Sequence, residues 1–374
     1  MLIFGEHDED TIAQFKNAAT FESAAGAVLC ADGHYGYAHP IGGVVGYTDH
    51  ISVSGVGYDI ACGNMAVCLD VMRSEISQDT VTILNDIAKV VSFGVGRKNN
   101  APVDHPIFGM LSKWQNANAL GLRQLAYEQL GTVGSGNHYV DLMEDESGFV
   151  WIGVHFGSRG LGHKITTQAL KNIGAVDRMD ADPALIEIGT DLADEYLAGM
   201  ELAGLYAYAG REWVVESVRK IIGGSATKTV HNHHNFAWRE THFGKDMWVV
   251  RKGATPAFPG QYGFVGGSMG DNAVILKGVD CDLSRIAMYS TVHGAGRVMG
   301  RNQAKKTIQK TEWQKWIGDY GVTVLGADLD ESPQAYRRLT DVLEYHKDTI
   351  EICHTLRPFG VIMAGSNEFD PYKD

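Results

Sequence analysis

FVWIGVHFGSRGLG, residues 149 to 162, reads as a short apolar strand that ends on a histidine and breaks at once into a glycine-rich turn. Aromatic and β-branched residues fill the run, and the glycines after it free the backbone to turn. The pattern recurs in MWVVRKG (247–253), YGFVGGSMG (262–270) and NAVILKG (272–278). Helical periodicity marks other stretches: 79–91, 112–130, roughly 183–222, 302–318 and 332–356. In the last, Tyr336, Leu339, Val342, Leu343, Ile350 and Cys353 recur at helical spacing behind a Ser332-Pro333 start signal. Strands and helices alternate without a regular βαβ order, which predicts an α+β chain with mixed sheets inside and helices outside. No repeat or Pro/Ser-rich linker marks a boundary, so a single domain over 1–374 is expected.

The chain carries 45 acidic against 32 basic residues, a formal charge of -13, which argues against coating nucleic acid by bulk electrostatics. Any nucleic-acid contact must then be local, and Arg159, Arg251, Lys252, Arg297 and Arg301 are the candidate basic rim. Five scattered cysteines without a CxxC pair fit neither a disulfide framework nor a zinc ribbon, and point to a reducing compartment. The N-terminus turns acidic by its sixth residue and no run approaches ~18 apolar residues, so a soluble cytoplasmic protein without membrane contact is expected.

Forty-five glycines and fifteen histidines are the compositional oddities, and they cluster together. His138 lies in GTVGSGNHYVDL, His155 in VHFGSRGLG, His234 in VHNHHNF and His293 in HGAGRVMGR, while Asp59 and Cys62 share SGVGYDIACG. Each glycine turn alone is most simply a turn, and each histidine alone a core residue. Together, imidazole, carboxylate and thiolate form the ligand set of a transition-metal site, although no local spacing certifies it. His293 stands beside Arg297 and Arg301, a combination suited to nucleophilic attack on a phosphoryl group with guanidinium groups carrying the developing charge.

In order along the chain, DGHYGYAHPIGGVVG (32–46), SGVGYDIACG (54–63), GTVGSGNHYVDL (131–142), VHFGSRGLG (154–162), HHNFA (233–237), RKGA (251–254), GGSMG (266–270) and HGAGRVMGR (293–301) resemble the blocks of the RtcB family of RNA ligases. The resemblance is collinear over nearly the whole chain. It implies a layered α+β sandwich and a ligase that joins RNA 3′-phosphate or 2′,3′-cyclic phosphate ends to 5′-hydroxyl ends, using GTP and two manganese ions. It places Asp59, Cys62, His138, His155 and His234 as metal ligands, with the Cys62 thiolate between the metals, and His293 as the guanylylated nucleophile. Asn137, Asp141, Asn235, Ser268, the Gly294, Ala295, Gly296 and Arg297 run, and Tyr336 fall on nucleotide-binding positions. An archease-like activator is a further partner that the resemblance brings into view.

Three positions depart from the family's pattern. Met363, in LRPFGVIMAG, stands where a guanine-contacting lysine is expected; Asp141 replaces a glutamate, and Gly300 a serine. Lys373, in the tail SNEFDPYKD, is a candidate replacement for the missing ammonium. A thioether cannot make a lysine's charge-assisted hydrogen bond, so nucleotide choice is the open point. The alternative reading is a dinuclear metallophosphoesterase that opens cyclic phosphates without nucleotide activation; a non-catalytic binder of RNA ends is the third.

Overall fold

The computed structural model describes residues 1–176 and 178–365. Its sheets follow from a period-two apolar pattern with both faces buried. In strand Gly63–Met72, Met65, Val67 and Leu69 enter one apolar cluster while Ala66 and Cys68 enter another. In strand Ala24–His34, Ala27 and Leu29 face one way, Val28 and Cys30 the other.

Two sheets dominate. The larger runs Tyr262–Val265, Ala273–Gly278, Ile350–Gly365, Tyr139–Glu144, Phe149–Phe156, Gly63–Met72 and Ala226–His233, with Thr323–Ala327 pairing parallel to Ile350–Gly365. The smaller runs Leu2–Ile3, Ala24–His34, Ile41–Tyr47, Lys245–Lys252 and Asn235–His242. They meet where Val28, Val44 and Val249 pack on Val265, Val274 and Leu276. Helix Asp191–Ile222, capped by the Thr190 side chain, lies against the larger sheet, and helices Glu9–Ala19 and Val53–Val56 lie against the smaller. Leu202, Ala203 and Tyr206 share one buried cluster with Leu29, Val45 and Val250, and Val214, Val215 and Val218 another with Met65, Ile152 and Val154. The fold is α+β, a layered sandwich with mixed sheets inside and helices outside.

Helical spacing misled at 332–356. Pro333–Ala335 forms one tight turn, Leu339–Glu344 a short helix, and Ile350–Gly365 a sixteen-residue strand in the middle of the larger sheet. The apolar positions there belong to two elements whose patterns happen to run on, and the strand absorbs Pro358 at a register shift. The 302–318 stretch divides into Arg301–Thr307 and Lys310–Tyr320, the second started by a Gln309/Glu312 capping box. The 112–130 stretch divides into Leu111–Asn116, Leu120–Leu122 and Arg123–Gln129, broken where Asn118 takes φ 48°. Residues 185–187 of the 183–222 stretch are strand, and the 262–270 run is strand only through Val265. No helix among the described residues is long and apolar enough to cross a membrane.

Candidate active site

Strand register gathers the site at one end of the larger sheet. Gly63 lies opposite Phe156 on one side and His233 on the other, so Cys62, His155 and His234 each sit within one residue of the same rung. A side chain at Gly63 would strike the Asn232 carbonyl, so that close approach needs glycine. Tyr139 pairs with His155, which brings in His138. Asp59 and Cys62 arrive on the loop before Gly63–Met72, where the non-glycine Ala61 takes φ 61°.

Five sequence-predicted ligands thus converge. The Cys62, His138 and His155 ligand atoms all lie within 4.8 Å of one another. His138 Nε2 is 3.1 Å from Asp59 Oδ2 and 3.7 Å from Cys62 Sγ, and His155 Nε2 is 3.6 Å from that sulfur. The His234 ring stacks on His155 at 5.1 Å and approaches His293 at 4.9 Å between centroids. His234 Nδ1 is buried without a hydrogen-bond partner, as a lone pair kept for a cation would be. Burial holds the His155 and His234 imidazoles well below the ordinary histidine range, hence neutral and able to ligate. Asn64 Oδ1 sits 2.6 Å from His155 Nδ1, which puts the proton there and the lone pair of Nε2 toward Cys62. Burial, reinforced by the Asp59 carboxylate, pushes the Cys62 thiol up, so its ionisation calls for a cation beside it. Thiolate, carboxylate and imidazole donors together fit a divalent transition metal.

Next to this cluster, Asp32 Oδ2 accepts from His293 Nδ1 at 2.6 Å and from the backbone N–H groups of His293 and Gly294 at 3.0 and 3.2 Å. Burial opposes ionisation of this carboxyl, yet the contacts with His293 hold it below the ordinary range. The arrangement holds a proton on His293 Nδ1, so that in the neutral ring the lone pair is on Nε2. Sequence reasoning missed Asp32: it stood in a quoted block, but only the fold shows that it lies against a residue 261 positions away.

A family profile described as tRNA-splicing ligase RtcB matches residues 14–121 and 109–364. The chain is 31% identical over 359 residues to the RNA-splicing ligase RtcB of Escherichia coli, covering 87% of each chain. It is 31% identical to the tRNA-splicing ligase RtcB of Archaeoglobus fulgidus, covering 95% of this chain and 91% of the other, and 28% identical to that of Thermococcus kodakarensis, covering 95% and 93%. The chain belongs to the RtcB family.

The remaining positions expected from the RtcB resemblance lie on segments that adjoin Tyr139, His155 and the His293 turn. Asn137 Nδ2 lies 3.3 Å from His155 Nε2, and Asn235 spans from the Gly253 amide, which donates to it at 2.7 Å, to the Asp59 carbonyl at 3.4 Å. Ser268 accepts from the Asp271 amide in a turn, and Gly266 of the same loop lies against the Tyr139 hydroxyl. Asp141 is pushed well above the ordinary carboxyl range by burial. Arg297 donates to the Tyr336 hydroxyl at 2.8 Å, and Gly296, at φ 77°, accepts from the Arg337 amide. The run Gly294, Ala295, Gly296 therefore bends between Asp32 and Tyr336.

The expected basic rim does not form as drawn. Arg251 is fully buried and is engaged by Glu240 at 2.7 Å and by Ser290 and Met288, because its strand position faces the core. Lys252 is buried as well, donating to the Tyr37 and His39 carbonyls, and desolvation lowers it to about 7. Arg297 and Arg301 are paired with Glu331, a partner no motif announced. Arg301 also reaches the Gly136 turn, and Arg159 the Gly134 backbone of that same turn, so both brace the loop that carries Asn137 and His138.

Met363 is buried with Met269, Ile317, Val322 and Val361, and pairs with Tyr139 while Val361 pairs with Asp141. Positions 363 and 141 therefore share a sheet face. Gly300 serves as the N-cap of helix Arg301–Thr307, a role a serine would also fill. Lys373 lies outside the described residues.

Proposed function

We propose that this chain is a nucleotide-dependent RNA ligase of the RtcB type, joining a 3′-phosphate or 2′,3′-cyclic phosphate end to a 5′-hydroxyl end through a guanylylated His293. The reading is carried by the Asp32 contact to His293 Nδ1, next to the cluster of Cys62, His138 and His155 with Asp59 and His234 beside it. A carboxylate that fixes one imidazole nitrogen makes the other a nucleophile, which a merely structural histidine does not need.

Asp59, Cys62, His138, His155 and His234 would hold two manganese ions. Bound there, the metal supplies Lewis-acid stabilisation of phosphoryl oxygens. His293 Nε2 attacks the α-phosphorus of GTP; the P–N bond forms as the bond to pyrophosphate breaks, and the Nδ1 proton stays on the Asp32 hydrogen bond. An RNA 3′-phosphate oxygen, freed by hydrolysis when the end is cyclic, then takes GMP from His293. The 5′-hydroxyl attacks that activated phosphorus, forming the phosphodiester and releasing GMP. Asn137 and Asn235 would orient the α-phosphate, and Gly294, Ala295, Gly296 and Arg297 would line the nucleotide. Asp141, Ser268 and Tyr336 would surround its base. An archease-like activator belongs to this reading as an accessory partner.

The test is incubation with α-labelled GTP and manganese. Acid-labile label that disappears in His293→Ala is expected; absence of label from every nucleoside triphosphate sinks the ligase chemistry. Hydrolysis of a 2′,3′-cyclic phosphate that survives His293→Ala but not Cys62→Ala would move the reading to a metallophosphoesterase, which the apolar setting of Met363 favours.

A further inference from the structure

Arg211, on helix Asp191–Ile222, is fully buried, and four hydrogen bonds leave its guanidinium. Nη1 donates to the Ala61 carbonyl at 3.0 Å and to the Phe156 carbonyl at 2.6 Å, Nη2 to His233 Nδ1 at 2.9 Å, and Nε to His231 Nε2 at 2.9 Å. Three of these acceptors are immediate chain neighbours of metal-ligand candidates: Ala61 precedes Cys62, Phe156 follows His155, and His233 precedes His234. One planar donor fork thus ties three separate strand ends whose side chains must converge. It also braces the left-handed backbone at Ala61, which is unfavourable for a residue with a Cβ.

We infer that Arg211 is the positioning residue of the metal centre, setting the mutual spacing of Cys62, His155 and His234. This rests on the metal-binding part of the proposed function. A guanidinium needed only to fill the core would have no reason to bond beside three ligands on three strands. A lysine there keeps the charge but presents a single nitrogen, so it cannot hold all three segments at once. Its effect falls on ligand geometry, in the way partners behind metal ligands typically alter affinity about 10–100-fold.

The experiment uses the full chain and two metals, manganese and cobalt, the second as an optical probe of the Cys62 thiolate. Wild-type protein is expected to bind both and to show a thiolate-to-cobalt charge-transfer band. Arg211→Lys is expected to remain folded by circular dichroism yet bind each metal about 10–100-fold more weakly, with that band shifted or lost. His233→Phe, which keeps an aromatic ring against Tyr208 but removes one acceptor, is expected to weaken metal binding while retaining the band. A folded variant of either kind with wild-type affinity and spectrum overturns the inference. Loss of folding in both also overturns it, because Arg211 would then hold the fold and not the site. Failure of wild-type protein to bind either metal overturns the metal reading itself, a result distinct from any of these.

Discussion

Asp32 Oδ2 and His293 Nδ1 lie 2.6 Å apart, joined across 261 residues of sequence, and the same oxygen takes two backbone N–H groups of the His293 turn. The carboxylate has one orientation, and so has the ring. Asp32→Asn keeps the shape but removes the charge that fixes the tautomer. Label transfer from α-labelled GTP to His293 is expected to slow by about 10²- to 10⁴-fold, with overall folding retained, as rapid-quench labelling and circular dichroism would show. Labelling at the wild-type rate would remove Asp32 from the chemistry.

Cys62 is the only sulfur donor in the cluster and lies under 4 Å from two imidazoles. Serine matches its shape but offers a neutral hydroxyl where a bound cation would ionise the thiol. Cys62→Ser is expected to lower manganese affinity by more than about 100-fold, beyond the usual effect of residues behind the ligands. Equilibrium dialysis with elemental analysis measures this directly, and retained stoichiometry at low micromolar metal would contradict it.

Met363 shares a sheet face with Asp141 inside an apolar cluster. Met363→Lys would place an ammonium donor beside a buried carboxyl. The ratio of GTP to ATP labelling of His293 is expected to rise about tenfold, the worth of one charge-assisted hydrogen bond. Thermal stability is expected to fall, because a cation enters a buried position. An unchanged ratio would mean that base selection does not pass through this position.

Glu240 pairs with the fully buried Arg251 and with His242, at 2.7 Å each. Burial disfavours the Glu240 carboxylate, but the arginine and histidine contacts more than offset this and hold it below the ordinary value of 4.5. The stability it contributes is therefore fully present above that value and is lost as pH falls through the lower folded value. Glu240→Gln is expected to cost about 3 kcal/mol near neutral pH by leaving a buried guanidinium uncompensated. It should also flatten the acid limb of the stability profile. Urea unfolding from pH 3 to 7 checks both, and parallel wild-type and variant profiles would count against the coupling.

Residue types and local patterns were legible in the sequence: the glycine-ended strands, the α+β character, and the cysteine, aspartate and histidines that converge. These are short-range or compositional signals, carried by period-two burial and by side-chain chemistry. Helical spacing across 332–356 failed for the same reason that it is local, since it cannot show that Ile350–Gly365 will be claimed by three neighbouring strands. Tertiary structure alone decided which charges are spent inside the protein. Arg251 and Lys252 look like a phosphate-binding pair in RKGA, yet strand register and core packing bury both. Asp32 and Arg211, by contrast, look ordinary in sequence and become partners of the site because hydrogen bonds act through space, between segments that only folding brings together.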